Sequence, residues 1–329
     1  MTSMATAGKA KMASFNLRGL RIDAQLLGLA TFYLVLIAVF SFTTPMFLSW
    51  SNGVNILSNV TVLGIVALGQ MFVIVSGGFD LSVSGTVPLG AVSYVILCNA
   101  GAPIPAAILA VVALGMLVGV ANGILVNRIG ISPLIATLGT LSVTGGLALT
   151  ISRGVTIPMN DLSAGFLSEF AFSRVSWYVV VLVALCGVAH VVMRYTVLGR
   201  MIYAVGGNAD ASRLAGIRVE AVSVAVYTAS AMLASLGGIV VSSQLLVGSA
   251  NVGADLALST VTAVVLGGAS LLGGVGTVAG TLIGVLILGT IANGMALMMV
   301  PSFYQQMANG GILLLAVALG KLREKRATK

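Results

Sequence analysis

Between Ile22 and Lys321 this chain is a succession of ten apolar stretches, and its basic residues stand in the breaks between them. The stretches run at about 24–42, 56–76, 82–100, 104–127, 131–151, 175–193, 221–242, 256–272, 277–298 and 303–320. A helix needs about 20 apolar residues, within roughly 17 to 25, to cross the hydrocarbon of a bilayer. Charged residues are 7% of the 329 and hydrophobic residues 58%, whereas a soluble domain carries about 25% charged residues. A chain of this kind cannot cover its own surface in water, so lipid must be part of its solvent. The expected fold is all-α: a polytopic membrane protein of about ten transmembrane helices.

The charges orient those helices. With the N-terminus inside, the inside segments hold Lys9, Lys11, Arg18, Arg21, Arg128, Arg194, Arg200, Arg213, Arg218, Lys321, Arg323, Lys325, Arg326 and Lys329. The outside segments hold only Arg153 and Arg174. This asymmetry places both termini in the cytoplasm and fixes an even number of spans. It also accounts for the net charge of +8 without nucleic acid. The basic N-terminus followed by the apolar run Leu26–Phe42 resembles a signal peptide, but no small-residue cleavage site follows the run, so it is read as an uncleaved first span. The domain layout is then a cytoplasmic tail 1–23, a permease domain 24–320 with an inside loop at 194–220, and a cytoplasmic tail 321–329. The outside loop 152–174 has room for a short interfacial helix.

Two short motifs recur. Asp80-Leu-Ser-Val-Ser-Gly-Thr-Val resembles Asp255-Leu-Ala-Leu-Ser-Thr-Val-Thr, and Ala121-Asn122-Gly123 resembles Ala292-Asn293-Gly294. The offsets nearly agree, which predicts two five-helix halves. Five is odd, so the halves are inverted in the membrane, a design in which short broken helices mark the solute path. Gly115, Gly119 and Gly123, like Gly276, Gly280 and Gly284, recur every four residues and predict close helix contacts, within the chain or between subunits.

Enzyme chemistry fails on inventory. His190 is the lone histidine, with no carboxylate near it in sequence, so neither a metal site nor an activated nucleophile is in view. Cys98 and Cys186 lie inside apolar stretches and read as buried free thiols. No P-loop is present; Gly274-Val-Gly276-Thr-Val-Ala279 matches a dinucleotide pattern but follows no strand. No cofactor is expected, and any ATP must be hydrolysed by another chain.

Two places are informative. Asp80 opens the third stretch, where an ionised carboxylate is costly. It is either a helix cap, accepting from free N–H groups, or a residue of a solute path; Asp255 has the same two readings. In the inside loop, Asn208 reads as the N-cap of a short helix, with Asp210 in its first turn, Arg213 near its last and Gly216 at C′. Ala211, Leu214 and Ala215 form one small apolar face, either lying on the membrane surface or docked on a partner.

Val75-Ser-Gly77-Gly78-Phe79-Asp80-Leu-Ser82-Val resembles the Gly-Gly-Ile-Asp-Leu-Ser-Val signature of ribose-type sugar permeases of bacterial ABC importers. Three further segments are similar to their motifs: Gly199-Arg200 with Ala204–Asn208 and Ala215–Ile217; Ser132–Thr140; and Val265–Thr277. The resemblance spans about residues 50–321. Phe79 stands where an aliphatic residue is usual and Ser84 where glycine is usual, which puts ribose itself in doubt. The resemblance implies a dimer of ten-helix subunits, identical or closely related, in the inner membrane. It also implies a cytoplasmic ABC ATPase and a periplasmic or surface solute-binding protein that delivers a monosaccharide. ATPase coupling would fall to Gly199, Arg200, Gly206, Gly207, Asn208, Ala211, Leu214, Ala215 and Gly216. The translocation path would draw on Gly77, Gly78, Phe79, Asp80, Ser82, Asn122, Asp255, Ser259 and Asn293. Permeases for nucleosides, a furanosyl signalling molecule or branched-chain amino acids are neighbouring alternatives. An ion-coupled secondary carrier is a more distant one and would have only Asp80 and Asp255 to bind its ion.

Overall fold

A computed structural model describes residues 16–17, 20–21, 24–172 and 174–327. Most of the N-terminal tail and the last two residues of the C-terminal tail lie outside the described residues. Each apolar stretch carries one helix. In chain order these are α1 (Ala24–Thr43), α2 (Trp50–Val75), α3 (Val83–Asn99), α4 (Ile104–Asn127), α5 (Pro133–Ser152) and α6 (Trp177–Tyr195). The loop 194–220 then forms α7 (Val197–Gly207) and α8 (Ala209–Leu214), and α9 (Val219–Leu245), α10 (Leu256–Leu266), α11 (Val278–Leu297) and α12 (Ser302–Ala327) follow. Helices α1, α2, α4, α5, α6, α9 and α11 are long and apolar enough to cross a membrane. The other three are α3 with 17 residues, α10 with 11, and α12, which runs on into the charged tail. The eighth stretch was expected to be helical to residue 272 but stops at Leu266, because Gly267 and Gly268 end the helix and Gly268 takes a positive φ of 95°.

Helices α2, α3 and α9 form the buried centre. The contacts are paired in the manner of an inverted repeat. Helix α3 packs on α4, α5 and α9, while α10 packs on α11, α12 and α2; α4 lies along α9 as α11 lies along α2. Close approach along α4 depends on its glycine row. A Cβ at Gly115, Gly119 or Gly123 would overlap α9 at Ser235, at Tyr227 and Thr228, or at Val224. That face therefore serves packing within the chain. Gly280 and Gly284 press in the same way on Gly267, just past the end of α10, and on Ala263 within it.

Outside the bundle, Ile157–Pro158 pairs with Val247–Gly248 in a two-residue antiparallel ladder. The loop 152–174 holds a 3₁₀ turn, Leu162–Ser168, where a short helix was expected. The Asp161 carboxylate begins it, accepting from Ser163 N–H at 3.0 Å and from Ser163 Oγ at 2.6 Å.

Candidate functional site

Both broken helices start near the middle of the bundle. Val83 at the head of α3 and Ala257 at the head of α10 share one small apolar cluster with Val66 of α2 and Ala234 of α9. Val66 is nine residues above Val75, the last residue of α2, a rise of about 13 Å at ~1.5 Å per residue. The chain therefore climbs through the irregular segment 76–82 before α3 begins. From the other side, residues 249–255 descend from the 247–248 ladder before α10 begins. Two helix N-termini, each a partial positive charge, meet there. One side chain joins them: Ser84 Oγ accepts from Ala257 N–H at 2.8 Å and donates to the Ala254 carbonyl at 3.1 Å.

Below this meeting point lies a chain of buried polar groups. Asp80 Oδ1 accepts from Ser82 Oγ at 2.5 Å and Ser82 N–H at 3.0 Å. Ser82 Oγ accepts from Asn122 Nδ2 at 2.8 Å, and Asn122 Oδ1 accepts from Thr140 Oγ1 at 2.6 Å. Asp80, Ser82 and Asn122 have no exposed surface at all. Asp80 Oδ2 lacks a hydrogen bond, and the Ser230 hydroxyl stands beside the carboxylate without closing one. The α3 N-cap position belongs to Ser82, and Asp80 reaches only that residue's N–H. This chain of bonds ties α3, α4 and α5 together. The preceding turn is held by Tyr227, which donates to the Phe79 carbonyl at 3.1 Å.

A second polar surface lies elsewhere. A cleft of about 290 Å³ opens between α2, α10, α11 and α12, and Asn59, Ser259, Asn293, Gln305 and Asn309 supply its polar lining. Asn293 exchanges two hydrogen bonds with Asn52, at 3.0 and 2.9 Å. Asp255 occupies the N-cap position of α10, but its side chain caps nothing and instead accepts from Gln306 Nε2 at 3.1 Å. Ser259 and Asn293 thus come together, whereas Asp80, Ser82 and Asn122 form a separate buried group. Asn59, Gln305 and Asn309 had no motif to announce them; amides turned toward α10 are visible only once α2 and α12 are placed.

At the C-terminal end of α2, three glycine motifs converge. Gly206 sits against the Val75 carbonyl so closely that any Cβ there would overlap it, and Gly274 N–H donates to the same carbonyl at 2.8 Å. Gly77 and Gly273 meet at this point with φ of 86° and 89°, a left-handed region open to glycine. Tyr203 Oη donates to the Gly276 carbonyl at 2.7 Å. The C-terminal end of α7 is therefore wedged between the turn leading to Asp80 and the loop joining α10 to α11.

Helix α8 projects from that wedge. Asn208 Oδ1 accepts from Ala211 N–H at 2.9 Å, Arg213 pairs with Asp210 at 3.3 Å and Glu220 at 3.1 Å, and Gly216 closes the helix at φ 85°. These are the caps expected from the sequence. The apolar face of Ala211, Leu214 and Ala215 is bare, with Leu214 92% exposed. Gly207 has open space around it, unlike Gly206. Gly199 is buried in the α6–α7 turn against Val192 and Met193, while Arg200 faces away from α8 toward α6 and α11. Among the described residues, no three metal-ligating side chains gather.

Comparison with known proteins places this architecture. The chain is 37% identical over 309 residues to an L-arabinose ABC transporter permease protein of Azospirillum brasilense, covering 92% of this chain and 90% of that protein. It is 36% identical over 289 residues to a ribose import permease protein of Bacillus subtilis, covering 87% and 90%. It is 29% identical over 375 residues to a xylose transport system permease protein of Haemophilus influenzae, covering 95% and 100%. No solved structure matches. The family described as the branched-chain amino acid transport system / permease component matches residues 52–317, and the chain belongs to that family of membrane permease components.

Proposed function

We propose that this chain is the membrane subunit of an ATP-driven importer that passes a monosaccharide, a pentose or related polyol, into the cytoplasm. The observation that carries the reading is the wedge of Gly206 between Val75 and Gly274. Through it the bare helix α8 is joined by backbone contact to the turn before α3 and to the loop after α10. A cytoplasmic ATPase gripping Ala211, Leu214 and Ala215 would move both broken helices at once, and shifts between packed, bistable elements alternate access in this way. A solute-binding protein would deliver the solute from outside, and a second permease subunit, identical or closely related, would complete the corridor.

The amides of Asn59, Asn293, Gln305 and Asn309 support a polyhydroxylated solute, since a cleft with few placed polar groups fixes orientation through hydrogen bonds. The relatives named for arabinose, ribose and xylose support the same class. The family's descriptive name favours the other reading, a branched-chain amino acid. That reading would need a partner for the solute's carboxylate and one for its ammonium group, and the cleft lining offers neither Arg, Lys, Asp nor Glu. The test is uptake of labelled L-arabinose, ribose, xylose, leucine and adenosine by the permease reconstituted with its ATPase and binding protein. Uptake of a pentose, dependent on ATP, is expected; uptake of leucine or adenosine alone contradicts the sugar assignment.

A further inference from the structure

A groove of about 560 Å³ opens where the end of α6, the flank of α7 and the start of α11 come together. Its lining includes His190, Arg194, Arg200, Tyr203 and Thr277. It contains two arginines and no acid, and among the described residues neither arginine has a carboxylate partner. Arg194 alone would be unremarkable, because a cation in the last turn of α6 complements the helix dipole. Arg200 has no such reason, since it lies within α7 and still turns into the same groove. The 20-residue helix α11 adds its N-terminus. Thr277 caps the Gly280 N–H at 3.0 Å, while the N–H groups of Val278 and Ala279, like those of any first helical turn, have no intrahelical acceptor. The adjoining face of α6 is apolar and bare at Val188 and Val191.

We propose that this groove is a binding site for the phosphate headgroup of an anionic phospholipid. Arg194 and Arg200 would clamp the phosphate with charge-assisted hydrogen bonds, the start of α11 would add its free N–H groups, and an acyl chain would lie along Val188 and Val191. The groove sits at helix ends, where headgroups are found, and basic pockets between membrane helices are built for such ligands. The site touches the machinery. Tyr203, which lines it, donates to the Gly276 carbonyl and so connects the bound lipid to the wedge around Gly206.

The test is native mass spectrometry of the purified, delipidated full chain titrated separately with cardiolipin, phosphatidylglycerol and phosphatidylcholine. One anionic lipid per chain should be retained ahead of phosphatidylcholine. The double variant R194Q/R200Q should weaken that retention roughly 30-fold, from about 1 kcal/mol for each basic group. R174Q, which removes a charge from the outside loop, should leave it unchanged. Equal retention of anionic and zwitterionic lipid by the unaltered chain overturns the proposal whether or not the double variant folds. Two other outcomes also overturn it. Displacement of the lipid by millimolar inorganic phosphate would make the groove a site for free phosphate. Loss of ATPase capture with undiminished lipid retention in the double variant would make it part of the ATPase interface.

Discussion

Ser84 Oγ lies 2.8 Å from the Ala257 nitrogen, and through that contact the first turn of one half-helix is fastened to the first turn of another running the opposite way. No other side chain among the described residues hydrogen-bonds across this meeting of N-termini. Removing the hydroxyl in Ser84→Ala leaves the buried Ala257 N–H without an acceptor, which costs about 1–3 kcal/mol. Denaturant unfolding of the purified protein should register that loss, and Ser84→Gly should lose at least as much.

Adjacent glycines separate backbone contact from mere exposure. Gly206→Ala places a methyl group inside the Val75 carbonyl and should abolish uptake while membrane insertion persists. Gly207→Ala meets open space and should retain uptake within about twofold. Equal tolerance of both substitutions in a transport assay would remove the wedge from the mechanism.

The buried carboxylate Asp80 relies on Ser82 for both of its hydrogen bonds. Ser82→Ala deletes the shorter one and also removes the acceptor of Asn122 Nδ2, for which a loss of about 1–3 kcal/mol is expected. Thr140→Val, two steps along the same chain of bonds, should cost less, since it strands one oxygen of a neutral amide. Unfolding midpoints of the two variants give the order.

Acid should loosen the loop 152–174. Hydrogen bonds from the Ser163 hydroxyl and then its N–H hold the Asp161 carboxyl below the usual carboxylate range. A depressed value in the folded state means the cap is fully formed above about pH 4, the unfolded value, and is lost as pH falls through the lower folded value. Hydrogen exchange at Ala164 should therefore accelerate below that point, and Ser163→Ala should move the change to higher pH.

Much of the bundle was legible because each span needs its own run of apolar residues, and lipid permits no shortcut. The caps of α8 were legible for a local reason: Asn208, Asp210, Arg213 and Gly216 act within two turns of one another. Helix α7, Val197 to Gly207, was hidden because its 11 residues are too few to span a bilayer and include three glycines. The sites were less legible still. Asp80 and Asn122 announce themselves by being polar in apolar surroundings, yet this does not tell a path from a buried brace. Asn59 and Asn309 reach the cleft only through the packing of α2 and α12, which no local pattern specifies. Likewise, Gly206 and Gly207 are identical in sequence terms, and only the position of Val75 divides them.

In the proposed function, a separate motor grips α8 from the cytoplasm. Cysteine placed at Ala211, exposed on the bare face of α8, can be probed with a membrane-impermeant maleimide in intact cells and in inside-out vesicles. Labelling in the vesicles alone, blocked when the ATPase is bound, is the predicted result. Labelling of Ala211→Cys in intact cells would put the helix on the outer face, where no ATPase could hold it.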